Sequence, residues 1–210
     1  MIQPGYTLSP VDLQKQLDAV QQAAALSRPA VNLEGFMFVA CFDGTNNDHD
    51  DLGESETEIP TNISGLYQMC KEVLVPEKTG TAQYYAGAGT KDSILFSEGW
   101  PPAVTLEIDR QANNAYNDFV KAALEWASKN PGKDLADHLQ VATTGFSRGC
   151  ATAVRFCQLL NERGLKGADN AELVAPGGVP VVATVLLDPV TTGYMNDLSI
   201  PQNVNMHNFV

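Results

Sequence analysis

LQVATTGFSRGCATAVRFCQLLNERG, residues 139–164, joins two hydrophobic patterns across a short glycine-containing turn. Residues 139–145 form a brief apolar run, which predicts a strand buried inside a sheet. Apolar residues then recur at helical spacing over 148–164, and Gly164 is typical of a helix C-terminus. The stretch therefore predicts a buried strand that turns sharply into a helix.

The rest of the chain alternates strands and helices in the same way. The predicted strands cover 36–42, 82–87, 139–145 and 179–190, and the predicted helices cover 61–75, 107–129 and 148–164. Strands that are apolar throughout and alternate with helices are typical of a doubly wound, mostly parallel α/β sheet. In such a sheet the functional residues are expected at the C-terminal ends of the strands.

Two regions are expected along the chain. Residues 1–34 are predicted to form an N-terminal helical appendage, with a helix that begins at Ser9 and ends near Arg28. Residues 35–210 are predicted to form the α/β domain. We expect this domain to stop before its last strand or helix, because the final residues resemble the start of a further apolar strand.

The turn after the third predicted strand carries a Gly-x-Ser-x-Gly pattern, made by Gly145, Ser147 and Gly149. A strand before this pattern and a helix after it are the context of a nucleophile elbow, in which Ser147 would be the nucleophile. Glycines are expected on both sides because a side chain there would strike the neighbouring strand or helix. The alternative is that Ser147 only caps the helix.

A serine nucleophile needs N–H donors for the oxyanion that forms on the substrate. One is expected from the backbone of Arg148, the residue after the serine. The second is expected from the loop after the first strand, where Gly44 or Thr45 can offer an N–H and Asp43 can support the loop. The alternative for this segment is an ordinary Asp-Gly turn.

The acid and the base of a triad should follow the serine in the order Ser, Asp, His. Asp188 ends the fourth predicted strand and is the expected acid, with Asp197 as a weaker competitor. His207 has the expected order for the base, whereas His49 precedes the serine and His138 should lie at the opposite edge of the sheet. The alternative is that the base lies beyond the end of this chain.

Composition limits the classes of partner and ligand. The net charge of −12 argues against nucleic acid, since that affinity depends on neutralising phosphates with Lys and Arg. No apolar run is long enough for a transmembrane segment, and no signal peptide is visible, so a cytoplasmic site of synthesis is expected. The four cysteines lack ligand spacing. The acidic part, 46–58, of the polar loop 43–60 lacks the calcium-loop pattern, and a looser divalent-ion site there is the alternative to a solvated loop. We therefore expect buried thiols, no metal and no cofactor.

Five segments in this order resemble the α/β-hydrolase domain of type VI secretion lipase effectors with the GFSRG motif, long classed as a domain of unknown function. The segments are FDGTNND at 42–48, PTNISGLY at 60–67, QYYAGAGT at 83–90, GFSRGCATAVRF at 145–156 and LLDPVTTG at 186–193. The resemblance implies an α/β-hydrolase fold and a phospholipase A-type activity. It also implies Ser147 as nucleophile, backbone donors at Gly44, Thr45 and Arg148, and Asp188 at the matching strand end.

The expected function is hydrolysis of phospholipid acyl esters by a Ser-His-Asp triad. The resemblance further implies delivery to a target cell by type VI secretion, with secretion-apparatus and immunity proteins as partners. Two alternatives stay open at this point. One is a soluble carboxylesterase that acts on small non-lipid esters, and the other is a catalytically incomplete fragment that serves as a binding or delivery module.

Overall fold

The computed structural model describes residues 34–50, 60–90, 101–167, 169–205 and 207–209. The predicted N-terminal appendage and its helix from Ser9 to Arg28 lie outside these residues, apart from position 34. Residues 51–59 of the loop after the first strand also lie outside the described residues.

Helices and strands alternate over most of the described chain. The strands are β1 (Phe36–Phe42), β2 (Gly80–Tyr85), β3 (Leu139–Phe146), β4 (Leu165–Lys166), β5 (Glu172–Val174), β6 (Val181–Leu187) and β7 (His207–Phe209). The helices are α1 (Asn62–Glu77), α2 (Pro101–Lys129), α3 (Leu135–His138) and α4 (Gly149–Arg163). Each of the four predicted strands occurs, with ends within three residues of the prediction.

Five strands form one parallel sheet in the order β2-β1-β3-β6-β7. The chain passes from β1 to β2 on one side and then returns to place β3 on the other side of β1. This reversal is a topological switch point, and open α/β sheets form their crevices at the C-terminal ends of the strands on either side of it. In this chain, those strand ends carry the segments FDGT and GFSRG.

Different helices cover the two faces of the sheet. Alternate residues of β1 point to opposite faces and therefore contact different helices. On one face, Phe38 contacts Phe119 of α2 and Phe42 contacts Phe156 of α4, with ring centroids 5.7 and 5.9 Å apart. On the other face, residues such as Cys41 pack with Ile63 of α1. The predicted doubly wound, α/β-hydrolase-like sheet is thereby confirmed.

Two parts of the fold differ from the sequence prediction. Helix α2 begins at Pro101, whereas the prediction began at 107 and assigned the prolines to a loop. Proline is compatible with the first helical turn, since the first N–H groups of a helix have no partner within it. The small antiparallel pair β4–β5 was not predicted, because strands of two and three residues carry too little periodicity.

Candidate active site

The backbone of Ser147 has a left-handed conformation, with φ of 52°. A residue with a side chain adopts this conformation only where its surroundings impose it. The Ser147 N–H donates to the carbonyl of Leu187 in β6, at 3.0 Å. The Ser147 carbonyl accepts from the N–H groups of Cys150 and Val190, both at 3.1 Å. The turn is therefore held between the end of β6 and the first turn of α4.

The two glycines of the motif are required by backbone contacts. A Cβ on Gly145 would lie 2.6 Å from the carbonyl oxygen of Gly149. A Cβ on Gly149 would lie 2.5 Å from the carbonyl oxygen of Asp43 and would also overlap that of Phe42. The first glycine lets the turn close on itself, and the second lets α4 approach the end of β1.

The alternative role of Ser147 as a helix cap does not match the geometry. The residue at the N-cap of α4 is Arg148, and no side chain caps this helix end. Within the described part of the chain, the Ser147 hydroxyl makes no hydrogen bond. Ser147 as a residue is half-buried, and it directly follows the C-terminal end of β3.

The loop after β1 lies next to this turn, because Phe42 pairs with Gly145 in the parallel register. The Gly44 N–H donates to Asp43 Oδ1 at 2.8 Å and is therefore occupied. The N–H groups of Thr45 and Arg148 have no acceptor among the described residues. Of the three predicted oxyanion donors, these two are unoccupied.

Asp43 is buried, with 2% of its surface exposed, and joins the ends of three elements. Its Oδ2 accepts from Thr61 Oγ1 at the start of α1, at 2.5 Å, and from the Tyr84 hydroxyl at the end of β2, at 2.7 Å. Burial, together with the hydrogen bond to Asp43, raises the pKa of Tyr84 above its usual value. We call Asp43, Thr61 and Tyr84 the carboxylate clamp.

Asp43 was predicted to support the loop, whereas Thr61 and Tyr84 were not predicted as site residues. Both lie in segments that carry the family resemblance, PTNISGLY and QYYAGAGT. No local pattern reveals that their hydroxyl groups converge on Asp43.

A second loop supports the loop after β1 from behind. The Asn46 N–H donates to Ala88 O, and the Gly87 N–H donates to Asn47 O, both at 2.9 Å. A Cβ at Gly87 would overlap the carbonyl of Gly44, so the two loops touch through their backbones. The geometry of residues 43–47 is therefore fixed on both sides.

Asp188 comes directly after β6 and lies beside the serine turn, because Phe146 pairs with Leu187. Its φ is 45°, which is a second left-handed residue at this edge. Its side chain is exposed. The structure thus brings the expected nucleophile and the expected acid to neighbouring strand ends.

The backbone register does not bring His207 to the C-terminal ends of the strands, where Ser147 and Asp188 lie. It begins β7 and pairs with Thr184, four residues before Asp188 along the parallel strands. At roughly 3.3 Å per strand residue, this is an offset of about 13 Å from the C-terminal edge.

The other two histidines are engaged elsewhere. His49 Nδ1 lies 2.5 Å from Ser64 Oγ, and its Nε2 lies 2.6 Å from Gln68 Nε2, so both ring nitrogens have partners on α1. His138 directly precedes β3 and lies at the opposite edge of the sheet, where its ring is 6.0 Å from that of Trp126.

Three of the four cysteines are buried free thiols, as expected, whereas Cys70 is a free thiol that is only half-buried. Burial raises the pKa of each, to about 12 for Cys41, Cys150 and Cys157. Among the residues that the structure describes, no three His, Cys, Asp or Glu side chains are grouped to hold a metal ion. No helix in the same part of the chain has the length and apolarity to cross a membrane.

A comparison with known protein families finds one family whose model matches this chain. The model of a family described as T6SS, Phospholipase effector Tle1-like, catalytic domain, matches residues 37–177. This range includes the clamp, Thr45 and Ser147 and ends before Asp188. No curated protein matches the sequence.

A solved structure of an uncharacterized protein from Pseudomonas aeruginosa is similar to this chain at 14% sequence identity, with a TM-score of 0.47. The similarity covers 97% of this chain and 38% of that one, so this chain spans well under half of its length. Because the family model covers more than half of the sequence, the chain belongs to the Tle1-like phospholipase effectors of type VI secretion, in the region of their catalytic domain.

Proposed function

We propose that this chain is a serine ester hydrolase that cleaves acyl esters of phospholipids, a phospholipase A-type activity. The observation that carries the proposal is the strained backbone of Ser147, with φ of 52° between a buried strand and a helix. Strain of this kind is concentrated where it serves a reaction. Membership of a phospholipase effector family supports phospholipids over other esters.

The reaction follows the general course of serine hydrolases. Ser147 Oγ bonds to the ester carbonyl carbon, the π electron pair moves onto the carbonyl oxygen, and the serine proton passes to a histidine. The bond to the lysophospholipid oxygen then breaks, and the histidine returns the proton to that oxygen. A water molecule repeats the sequence, which releases the fatty acid and restores Ser147.

Each remaining residue has a defined role in this proposal. Backbone N–H groups at Arg148 and at Thr45 stabilise the oxyanion, whereas the predicted donor at Gly44 is already bonded to Asp43. Asp188 orients the histidine and stabilises its charged form, and its register beside Ser147 supports that role.

The base is either His207 or a histidine that follows β7. His207 has the expected chain order after Ser147 and Asp188. The register supports the second alternative, because loops after parallel strands share the C-terminal edge on which Ser147 lies.

Ser147→Ala tests the proposal directly. We expect release of fatty acid from phosphatidylglycerol vesicles to fall at least about a thousandfold, since the nucleophile is lost while the fold remains. Ser128→Ala is the matched control, because Ser128 is exposed near the end of α2 and its hydroxyl donates to Glu125 O within the same helix. It should keep the wild-type rate. Wild-type activity in Ser147→Ala would exclude the mechanism.

The same assay separates the alternatives. Two results would favour a soluble carboxylesterase. The rate with a small monomeric ester such as p-nitrophenyl butyrate would exceed the rate with vesicle lipid, and the rate with longer esters would not rise above the concentration at which they form micelles. A folded wild-type protein that neither hydrolyses an ester nor reacts with a fluorophosphonate probe would favour a binding or delivery module.

Delivery by type VI secretion into a target cell belongs to the same proposal, as does protection of the producing cell by an immunity protein. Family membership supports both. Co-expression of the wild-type chain with its genomic neighbours, scored by membrane integrity, tests whether one of them suppresses phospholipid damage.

A further inference from the structure

The hydroxyl of Thr45 lies where the loop after β1 meets the serine turn. Arg148 Nη1 donates to Thr45 Oγ1 across this junction at 3.4 Å. A hydroxyl that accepts a hydrogen bond still has its own hydrogen to donate. Among the residues that the structure describes, no acceptor receives that hydrogen. Thr45 is partly exposed, so a substrate atom can reach it.

The position of Thr45 follows from the register of the sheet. Phe42 and Gly145 are paired on neighbouring parallel strands, and Thr45 and Arg148 each follow that pair by three residues, in the turns beyond the strand ends. Gly149 packs directly on the backbone of Asp43, which keeps the two turns in contact. The turn that carries Ser147 is therefore in contact with the loop that carries Thr45.

The clamp decides which residue of the loop can donate to a substrate. Asp43 Oδ1 takes the N–H of Gly44, while Thr61 and Tyr84 fix Oδ2. The next N–H, that of Thr45, has no acceptor in the described chain. The loop thus presents the N–H and the hydroxyl of Thr45, with the N–H of Gly44 already occupied.

We propose that Thr45 is a catalytic residue that donates two hydrogen bonds to the oxyanion, from its backbone N–H and from its hydroxyl. The N–H of Arg148 is the third donor. The guanidinium of Arg148 is a positioning group, which turns the Thr45 hydroxyl hydrogen towards the oxyanion by donating to the hydroxyl oxygen. This assignment rests on the proposed function, because it requires an acyl transfer at Ser147.

The chemistry predicts which kinetic constant depends on the hydroxyl. The negative charge exists in the tetrahedral intermediate and not in the bound ester. A donor aimed at that charge lowers the barrier without strengthening ground-state binding, so its loss reduces kcat and leaves KM nearly unchanged.

Thr45→Val and Thr45→Ser test the assignment with p-nitrophenyl butyrate and with phosphatidylglycerol vesicles. Valine keeps the shape and removes the hydroxyl, so kcat should fall about ten- to a hundredfold with KM within about twofold. Serine keeps the hydroxyl and should retain most of kcat. Thr81→Val, on β2 away from the site, is the matched control and should not change kcat.

Three results would overturn the assignment. They are a wild-type kcat in Thr45→Val, a change in KM alone, or an equal loss in Thr45→Ser, which would indicate packing instead of donation. If Ser147→Ala is inactive while Thr45→Val is fully active, the serine mechanism stands and only this inference fails. Activity that is independent of Ser147 would instead remove the proposed function.

A double-mutant cycle tests the positioning role of Arg148. Arg148→Met should lower kcat in the wild-type chain and have a much smaller effect in Thr45→Val, because its side chain acts through the hydroxyl. Equal fold-losses in both backgrounds would show that the guanidinium acts independently of Thr45.

Discussion

At the residue scale, Gly149 is required because a side chain there would collide with neighbouring backbone, and not because the position needs a flexible residue. A Cβ at Gly149 would meet the backbone carbonyls of Phe42 and Asp43, neither of which can move without shifting the end of β1. We expect Gly149→Ala to lower the free energy of unfolding by about 1–3 kcal/mol. It should also reduce ester hydrolysis, because the loop that carries Thr45 is displaced. Urea unfolding and a kinetic assay measure the two effects.

Gly65→Ala is the matched control for this prediction. Gly65 lies on the exposed side of α1, and a Cβ there would have no neighbour within 4 Å. Alanine in a helix is more favourable than glycine by about 0.5–1 kcal/mol, so this variant should be slightly more stable than the wild type. If both alanine variants behave alike, the contact between α4 and β1 is not what requires Gly149.

At the element scale, the carboxylate clamp ties the ends of β1 and β2 to the start of α1. Tyr84→Phe removes one of the three donors to the buried Asp43 carboxylate. We expect the free energy of unfolding to fall by about 1–3 kcal/mol, the cost of weakening hydrogen bonds to a buried charge. We also expect a lower kcat, since Asp43 fixes the loop of Thr45. Urea unfolding and steady-state kinetics test this.

Tyr67→Phe is the control from the same aromatic cluster. The Tyr67 ring also packs beside His49 and Tyr84, but its hydroxyl accepts from the exposed Lys71. A change within about 0.5 kcal/mol is expected for such a surface position. An equal loss in both variants would assign the effect to ring packing instead of to the clamp.

The elements themselves were predictable wherever one pattern covers a whole element. The strand at 36–42 was found because it is apolar throughout, and the helix after Ser147 was found because its apolar residues recur at helical spacing over its full length. The start of α2 at Pro101 was missed because its prolines were assigned to a loop, although proline is also common in the first turn of a helix. The short strands β4 and β5 were missed because each is defined by its pairing with the other, and no local sequence pattern encodes that pairing.

At the scale of the whole molecule, the buried thiols make stability depend on alkaline pH. The pKa of Cys41, Cys150 and Cys157 is raised by burial from 9.0 to about 12 in the folded chain. Between these values the unfolded chain releases protons that the folded chain keeps, so the free energy of unfolding falls as pH rises. The contribution is fully present below pH 9. Urea midpoints measured from pH 8 to 11 under reducing conditions should decline.

Cys157→Ala separates this effect from other titrations. Removing one buried thiol lowers the urea midpoint through lost packing, and this packing contribution does not depend on pH. It should also make the alkaline decline shallower, because one fewer group distinguishes the two states. A decline of unchanged steepness would mean that Cys157 contributes nothing to the pH dependence.

The sequence by itself determined which segments are buried strands and helices, and that a serine stands between two glycines at a strand-to-helix turn. These features depend on backbone conformation and hydrophobic exposure, which neighbouring residues set. Only the tertiary structure decided that Asp43 occupies the Gly44 N–H, that Thr61 and Tyr84 hold Asp43, and that His207 begins its strand about four residues short of the edge. Those facts depend on which distant strands pair and in what register, because a hydrogen-bond donor is free or occupied only according to what the fold packs against it.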